Sequence, residues 1–293
     1  MRNAFAQIAL QLQKEDGDLY VLLGDIGVYG FRESFNLFPT RTLNLGIMEQ
    51  TMIGVAAGMA RAGKVPIVHT IAPFLIERAY EQIKIDFGYQ ELQGNLVSVG
   101  ASFDYGALGP THHCPGDIPL LSQIPGMQIV LPGTAAEFES IFRQNYNNGK
   151  CTYYRLSEKQ NSTSNIFQIG KGVKVRNGSD FTIIVVGPLL DTVITAAKNY
   201  DAEIIYLNSI YPLDLELIRS SCKSNRILTV EPYYSGTLAI NLIRLFSGQQ
   251  IKLEMVGVEN RFPVEYGTTD EIFSELGLSV ASVKLGISRL LNV

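Results

Sequence analysis

The amino-acid sequence predicts an α/β protein made of two doubly wound domains, the first of them built on a parallel sheet. Short apolar runs alternate with helix-like runs along most of the chain. Runs such as LYVLLGD (19–25) and VPIVHTI (65–71) show no inside–outside alternation, as expected for parallel strands covered by helices on both faces. The polar stretch SEKQNSTSN (157–165) interrupts the alternation, which restarts at DFTIIVVGP (180–188) and so indicates a second domain.

The first predicted domain begins with an amphipathic helix in which Phe5, Ile8 and Leu12 lie on one stripe. A later helix begins at Thr134, and Glu137 completes the pattern of a capping box. The other predicted elements of this domain are, in order, the strand LYVLLGD, a glycine-rich helix within LNLGIMEQTMIGVAAGMARAG (43–63), the strand VPIVHTI, the helix FLIERAYEQIKIDFGY (74–89), and the strands NLVSVGA (95–101), MQIVLPG (127–133) and CTYYRLS (151–157).

The second predicted domain repeats the strand–helix plan. Its elements are the strand DFTIIVVGP, the helix LLDTVITAAKNY (189–200), the strand AEIIYLNS (202–209), a helix around DLELIRSSCK (214–223), the strand RILTVE (226–231), the helix GTLAINLIRLF (236–246), the strand KLEMVGVEN (252–260) and a terminal helical region. We therefore expect a first domain at 1–160, a linker at 161–175 and a second domain at 176–293.

Composition excludes several classes of function. A chain of 293 residues that is 46% hydrophobic and 18% charged can build two cored domains. Its formal net charge of −4 argues against nucleic acid as the main partner, and the longest apolar runs are too short to span a membrane. The three cysteines (Cys114, Cys151 and Cys222) lack metal-ligand spacing and favour a reduced, cytoplasmic setting, with no metal site in this chain.

Glu49 is the one acid in a stretch that otherwise has the pattern of a buried helix. A lone buried carboxylate costs several kcal/mol (about 2–7 even for a neutral polar group) unless it finds a hydrogen-bonding partner. The position of Glu49 therefore predicts a role in binding.

Two loops carry further candidates. In VLLGDIGVYG (21–30) a strand ends in Gly-Asp-x-Gly, so Asp25 is a candidate cofactor ligand. The stretch lacks the dinucleotide and Walker patterns, and a turn or interface carboxylate is the favoured interpretation. The loop FDYGALGPTHHCPGD (103–117) can bring His112 and His113 to a polar substrate, or it is a surface loop with incidental histidines. His69, inside an apolar strand, is interpreted as a core histidine.

The stretch LNLGIMEQTMIGVAAGMARAGKVPIVHTIAPFLIERAYEQI (43–83) resembles the pyrimidine-binding domain of the transketolase and deoxyxylulose-phosphate synthase family. The resemblance continues through GPTHH (109–113) and IPGMQIVLPGTAAE (124–137). In the second half, IYPLDLELI (210–218) and ILTVEPYYSGTLAINLI (227–243) are similar to the C-terminal domain of that family, so the resemblance covers nearly the whole chain.

This resemblance implies thiamine diphosphate as the cofactor. Glu49 falls on the family glutamate that hydrogen-bonds the aminopyrimidine ring and allows the imino tautomer to form. Phe74 falls on the aromatic residue that stacks on that ring. His112 falls on a histidine that faces the reactive end of the cofactor and the substrate, and His113 stands beside it where glutamine is commoner.

Several positions depart from the family pattern. Leu108 stands in place of the aspartate that binds a substrate hydroxyl, Gly100 in place of a histidine near the donor sugar, and Ile71 in place of a second pocket aromatic. Glu158 occupies the position of an arginine that binds the sugar phosphate, unless Arg155 turns inward to do so. These changes predict a substrate unlike simple phosphosugars, bound by His112, His113, Leu108, Arg155 and Glu158.

The diphosphate-binding half that enzymes of this family contain is expected on a separate subunit, which would also hold Mg²⁺. The resemblance therefore implies a β-type subunit of a split transketolase that moves a two-carbon ketol or acyl unit between carbonyl compounds. Two copies of this chain are expected in an α2β2 assembly. The alternatives are the β-subunit of a 2-oxo acid dehydrogenase and a non-catalytic scaffold derived from a transketolase.

Overall fold

Two β-sheets organise the chain in the computed structural model, which describes residues 1–292. The strands are β1 Leu19–Leu23, β2 Thr42–Asn44, β3 Val65–Ile71, β4 Gly94–Val99, β5 Gln128–Val130, β6 Cys151–Arg155, β7 Val173–Arg176, β8 Phe181–Val186, β9 Ala202–Leu207, β10 Ser209–Tyr211, β11 Arg226–Tyr234 and β12 Lys252–Val258. The α-helices are α1 Arg2–Glu15, α2 Arg32–Leu37, α3 Glu49–Arg61, α4 Tyr80–Gln82, α5 Asp117–Leu121, α6 Ala135–Asn145, α7 Leu190–Ala196, α8 Leu215–Ser221, α9 Ala239–Leu245, α10 Thr269–Glu275 and α11 Val280–Leu291. Among these described residues, no helix has the length and apolar character needed to cross a membrane.

The first sheet has seven strands in the order β10-β5-β6-β4-β3-β1-β2. Its neighbouring strands are parallel, except that β10 runs antiparallel to β5. Every residue of β3, β4 and β6 is buried, because helices cover both faces of the sheet. The predicted doubly wound α/β fold is confirmed, and the sheet is mixed rather than wholly parallel.

The second sheet has five strands in the order β12-β11-β8-β9-β7, with β7 antiparallel to β9 and the other pairs parallel. Strand β7 begins at Val173, inside the stretch that the sequence predicts to be a linker. The segment predicted as one strand, AEIIYLNS, divides after Leu207: β9 belongs to the second sheet, and β10 adds an edge strand to the first. A strand that directly follows β9 of the second sheet therefore pairs with the first sheet, a pairing that local periodicity does not reveal.

The segment predicted as one helix at 74–89 is instead a π-helical turn at Pro73–Glu77, the short helix α4, and a second π-helical segment at Ile83–Tyr89. The prediction of a continuous α-helix was wrong here. A π-helix widens the turn by one residue and is found mostly at functional sites. In this chain the first π-helical turn contains Phe74 and is followed directly by Arg78, two residues described below.

Thr134 caps α6 as predicted, since its hydroxyl accepts the backbone N–H of Glu137 at 3.1 Å. The reciprocal half of the capping box does not form. The Glu137 carboxylate instead accepts the backbone N–H groups of Gly133 and Asn165, at 2.8 and 3.0 Å, and the hydroxyl of Tyr206 at 2.9 Å. This buried carboxylate therefore joins α6 to the inter-domain segment and to the second sheet.

His69 is a core residue, as predicted. Its ring is fully buried, its Nδ1 lies 2.7 Å from the carbonyl oxygen of Val97, and its centroid lies 4.9 Å from that of Phe5. Burial lowers the pKa of His69 to about 4. The ring also explains one glycine of the Gly-Asp-x-Gly turn: Gly27 has a φ of +89°, and a Cβ there would lie 2.9 Å from the His69 ring.

Candidate active site

Three of the predicted site residues lie beyond the carboxyl ends of parallel strands in the first sheet. Glu49 comes after β2, Phe74 after β3 and His112 after β4, and these strands run parallel through β1. In open α/β sheets ligands bind outside the carboxyl ends of the strands. The topology therefore brings these three residues to the edge where a ligand site is expected.

Glu49 is the first residue of α3, and only 1% of its surface is exposed. Its Oε2 accepts a hydrogen bond from Nη1 of Arg78 at 2.8 Å. Its Oε1 is buried and has no partner among the described residues. An unsatisfied buried acceptor is costly, so this oxygen needs a donor that the described part of the chain does not supply.

Phe74 lies next to this pair. Its half-buried ring packs against the main core cluster, and the guanidinium carbon of Arg78 lies 4.3 Å from the ring centroid. The ring of His112 meets Phe74 edge to face, with centroids 5.2 Å apart. Glu49, Arg78, Phe74 and His112 thus form one continuous cluster.

Sequence reasoning missed Arg78. The available signal was a cation four residues after Phe74, in the mainly apolar stretch APFLIERA. Its partner Glu49 lies 29 residues earlier in the chain, and no local pattern links the two.

The two neighbouring histidines have different surroundings. His112 is partly exposed, and its Nδ1 lies 2.9 Å from the Thr111 hydroxyl. His113 is turned inward, where its Nε2 lies 3.1 Å from the Gly106 carbonyl oxygen and its ring packs 5.0 Å from that of Phe103. Burial lowers the pKa of His113. Of the two, His112 has the surroundings of a residue that can meet a substrate.

Two of the positions that depart from the family pattern share a cavity. Gly100 and Glu158 line a space of about 270 Å³ together with Asp104, Tyr105 and Arg2. The Asp104 carboxylate accepts the backbone N–H of Glu158 at 2.9 Å, and burial raises the pKa of Asp104 to about 7. Tyr105 connects this cavity to the site, since its ring centroid lies 6.4 Å from that of His112.

Leu108 ends a short 3-10 turn, and 56% of its surface is exposed. It thus presents apolar surface in the loop that carries the two histidines, where the resemblance would place a carboxylate.

Arg155 lies in the protein interior. Its Nε donates to Asp117 at 2.7 Å, and its Nη2 donates to the Ser102 hydroxyl at 2.8 Å and to the Cys114 carbonyl oxygen at 3.0 Å. The same Asp117 oxygen accepts the hydroxyl of Tyr153 at 2.8 Å. These contacts occupy the guanidinium with groups of the chain itself, and the expected contact of Arg155 with substrate finds no support in this arrangement.

Asp25 is exposed at the end of β1, in the left-handed region with a φ of 66°. Its backbone N–H donates to the Asn44 side chain, which in turn donates to the Asp25 carboxylate, both at 3.0 Å. This pair closes a turn, in line with the favoured interpretation of Asp25. Within residues 1–292 no three His, Cys, Asp or Glu side chains are grouped as metal ligands would be.

The cluster thus combines a buried carboxylate, one of whose oxygens has no partner among the described residues, with a half-buried aromatic ring and an imidazole, on an α/β fold. Residues 1–163 match the transketolase pyrimidine-binding domain, and residues 170–283 match the transketolase C-terminal domain. The chain therefore belongs to the transketolase family.

Similar proteins are found over the whole length of the chain. An uncharacterized 33.6 kDa protein from the fasciation locus of Rhodococcoides fascians is 32% identical, covering 100% of this chain and 95% of that protein. A subunit of the apulose-4-phosphate transketolase of Phocaeicola vulgatus is 29% identical over 94% of this chain and 93% of its own length. A solved structure described as a split gene transketolase, inactive beta4 tetramer, is 27% identical, with a TM-score of 0.88 over 99% of this chain and 98% of that one.

The family implies thiamine diphosphate, and the residues present fit its aminopyrimidine ring. The free Oε1 of Glu49 can accept a hydrogen bond from a ring N–H group. The Phe74 ring offers a flat apolar partner for stacking.

Proposed function

We propose that this chain is the β-type subunit of a thiamine-diphosphate-dependent, split transketolase that moves a two-carbon ketol or acyl unit between sugar-like carbonyl compounds. The observation that carries the proposal is the buried Oε1 of Glu49, an acceptor that has no donor among residues 1–292, beside the Phe74 ring. The apulose-4-phosphate transketolase relative and the split-gene structure, each matched over more than nine-tenths of its length, support the same division of the enzyme.

Thiamine diphosphate, when bound, supplies a carbon nucleophile for transfer between carbonyl groups. In this chain Glu49 would hold the aminopyrimidine ring through Oε1 and keep a proton available at that atom. Phe74 would hold the plane of the ring by stacking. His112, partly exposed and edge to face with Phe74, would orient or protonate the substrate oxygen.

A separate subunit would hold the diphosphate and Mg²⁺. Support comes from the two domains matched here, one pyrimidine-binding and one C-terminal. The β4 tetramer of the solved split transketolase is described as inactive, which supports a need for a partner in that protein and, by proposal, in this one. We place two copies of this chain in an α2β2 heterotetramer, and its three free, buried cysteines favour the cytoplasm.

The test is Glu49→Gln in the complex reconstituted with its diphosphate-binding partner. An amide can hydrogen-bond the ring but cannot share the proton, and general acid–base contributions are typically about 10²–10⁴-fold. We expect ketol transfer to fall by that order while assembly, measured by light scattering, stays intact. The matched control is Glu81→Gln, an exposed acid on α4.

Turnover of the Glu49→Gln complex within about threefold of wild type would remove Glu49 from the mechanism. A wild-type complex that assembles but transfers no ketol unit from any sugar donor would support the non-catalytic scaffold instead.

A further inference from the structure

The guanidinium group of Arg78 makes two contacts at once, one with Glu49 and one with Phe74. Its Nη1 donates to Glu49 Oε2 at 2.8 Å, and its central carbon lies 4.3 Å from the Phe74 ring centroid. A hydrogen bond to Glu49 and a stacked position on Phe74 are the two contacts that the proposed function assigns to the aminopyrimidine ring. The Arg78 side chain therefore takes the stacking position over Phe74 that the ring would need, and it binds the other oxygen of the same carboxylate.

The chemistry of the two groups is alike. A guanidinium is flat and delocalised, carries N–H donors in its plane and stacks on aromatic faces. An aminopyrimidine that donates from its ring nitrogen is also a flat, delocalised system with an N–H donor in its plane. The same carboxylate and the same ring can therefore bind either group.

The groups around Phe74 differ in their exposure to solvent. The ring is half-buried and packs against the main core cluster, while His112 meets it edge to face. Arg78 lies over the ring, and 39% of its side chain is exposed, against 1% of Glu49. Its long side chain can turn outward to solvent without disturbing the core.

We infer that Arg78 is a positioning residue that holds Glu49 and covers Phe74 in place of the aminopyrimidine, and that the entering ring displaces it. The inference rests on the proposed function. It gives the buried Glu49 carboxylate a partner when no cofactor is bound, which a buried charge requires. It also makes cofactor binding a competition, because the ring must replace the guanidinium over Phe74.

The competition can be measured on the full-length chain alone, with 4-amino-5-hydroxymethyl-2-methylpyrimidine as the probe and ligand-observed NMR titration as the readout. If Arg78 covers the Phe74 ring about nine-tenths of the time, Arg78→Ala should lower the dissociation constant of the probe on the order of tenfold. The dissociation constant of Arg78→Lys should lie between those of wild type and Arg78→Ala, because an ammonium keeps the charge beside Glu49 but lacks a flat group for Phe74. Arg61→Ala, at an exposed arginine of α3 that donates to Gln90, is the matched control and should bind like wild type.

A purely structural role for Arg78 predicts the opposite sign, since loss of a supporting residue weakens binding. Unchanged or weaker probe binding by Arg78→Ala therefore overturns the inference. Thermal melts show whether Arg78→Ala is folded. If it is not, Arg78→Met, which keeps the apolar stem of the side chain, is used in its place. The double variant Arg78→Ala with Glu49→Gln should lose the gain in affinity, and a retained gain would place the probe elsewhere and overturn the inference.

The failure of this inference is distinguishable from failure of the proposed function. If no variant of the isolated chain binds the probe while the reconstituted complex transfers a ketol unit with added thiamine diphosphate, the competition at Arg78 is refuted and the function stands. If the complex also requires no thiamine diphosphate, both are refuted.

Discussion

At the scale of single residues, His69 shows how burial decides a protonation state. The ring is enclosed between Phe5 and the turn at Gly27, and its Nε2 has no partner among the described residues. Burial disfavours the charged imidazolium and lowers its pKa from 6.5 to about 4. In the folded chain His69 is therefore neutral at physiological pH.

This shift predicts a pH-dependent stability. Between pH 6.5 and 4 the unfolded chain binds a proton at His69 that the folded chain does not, so the free energy of unfolding falls as pH falls through this window. From pH 7 to pH 4 the loss should be about 3 kcal/mol. Urea unfolding of wild type and His69→Gln at both pH values measures it, since the neutral amide can still donate to Val97.

Wild type must be compared with His69→Gln because other buried groups change the free energy of unfolding in the opposite direction as pH falls. Burial raises the pKa of Asp104 and Glu231 to about 7, so these carboxyl groups bind protons in the folded state and favour it as pH falls. Their effect is common to both proteins and cancels. Parallel stability curves for wild type and His69→Gln would show that His69 does not carry the predicted shift.

A second residue-scale prediction concerns substrate charge. Glu158 and Gly100 line a cavity that also contains Tyr105, whose ring centroid lies 6.4 Å from that of His112. A carboxylate there repels a phosphate instead of binding it. We expect ribose 5-phosphate to be a poor acceptor for the reconstituted complex. Glu158→Arg should raise kcat/KM for it about tenfold or more, since a charged hydrogen bond is worth roughly 1.5–3 kcal/mol.

Glu139→Arg, at an exposed acid of α6, controls for the change in net charge. Uncharged and nucleotide-linked carbonyl sugars should be the better acceptors of the wild-type complex. Ribose 5-phosphate as the best acceptor would show that Glu158 does not face the substrate.

At the scale of elements, α6 is tied to the rest of the molecule by Glu137. The carboxylate accepts from Gly133, from Asn165 in the inter-domain segment and from Tyr206 on β9. A single side chain thus connects a helix, a connecting segment and a strand of the other sheet.

Glu137→Gln should therefore lower the free energy of unfolding by about 1–3 kcal/mol, because the amide nitrogen would face a buried donor and leave it unsatisfied. Urea denaturation measures the change. Glu139→Gln, two residues on and exposed, should stay close to wild type. Equal stability of the two variants would mean that the Glu137 contacts contribute nothing net.

At the scale of the whole molecule, the proposed division of the enzyme predicts what the chain does alone. In the proposed function, the candidate site contacts the aminopyrimidine end of thiamine diphosphate, and the partner subunit holds the diphosphate end. We expect the isolated chain to show no micromolar affinity for thiamine diphosphate by calorimetry, and no turnover. Micromolar binding by the pure chain would contradict the need for a partner, and the reconstituted complex under the same conditions is the positive control.

The sequence by itself determined the α/β class, most strands and the core position of His69, and it made Glu49 a candidate; the roles expected of Phe74 and His112 come from the family resemblance. The strands and the burial of Glu49 follow from local patterns, because an apolar run of strand length or an acid within an apolar stretch reports burial directly. Strands β3, β4 and β6, buried along their whole length, are the clearest cases.

Only the tertiary structure decided which groups those residues meet. Arg78 reaches Glu49 across 29 positions, Arg155 reaches Asp117 across 38, and β10 leaves its own domain to pair with β5. Periodicity indicates that a side chain or strand is buried but does not identify its partner, since the partner depends on how distant segments pack. For that reason the chain's candidate chemistry was visible in its residues, while the pairing of Arg78 with the site became visible only in the fold.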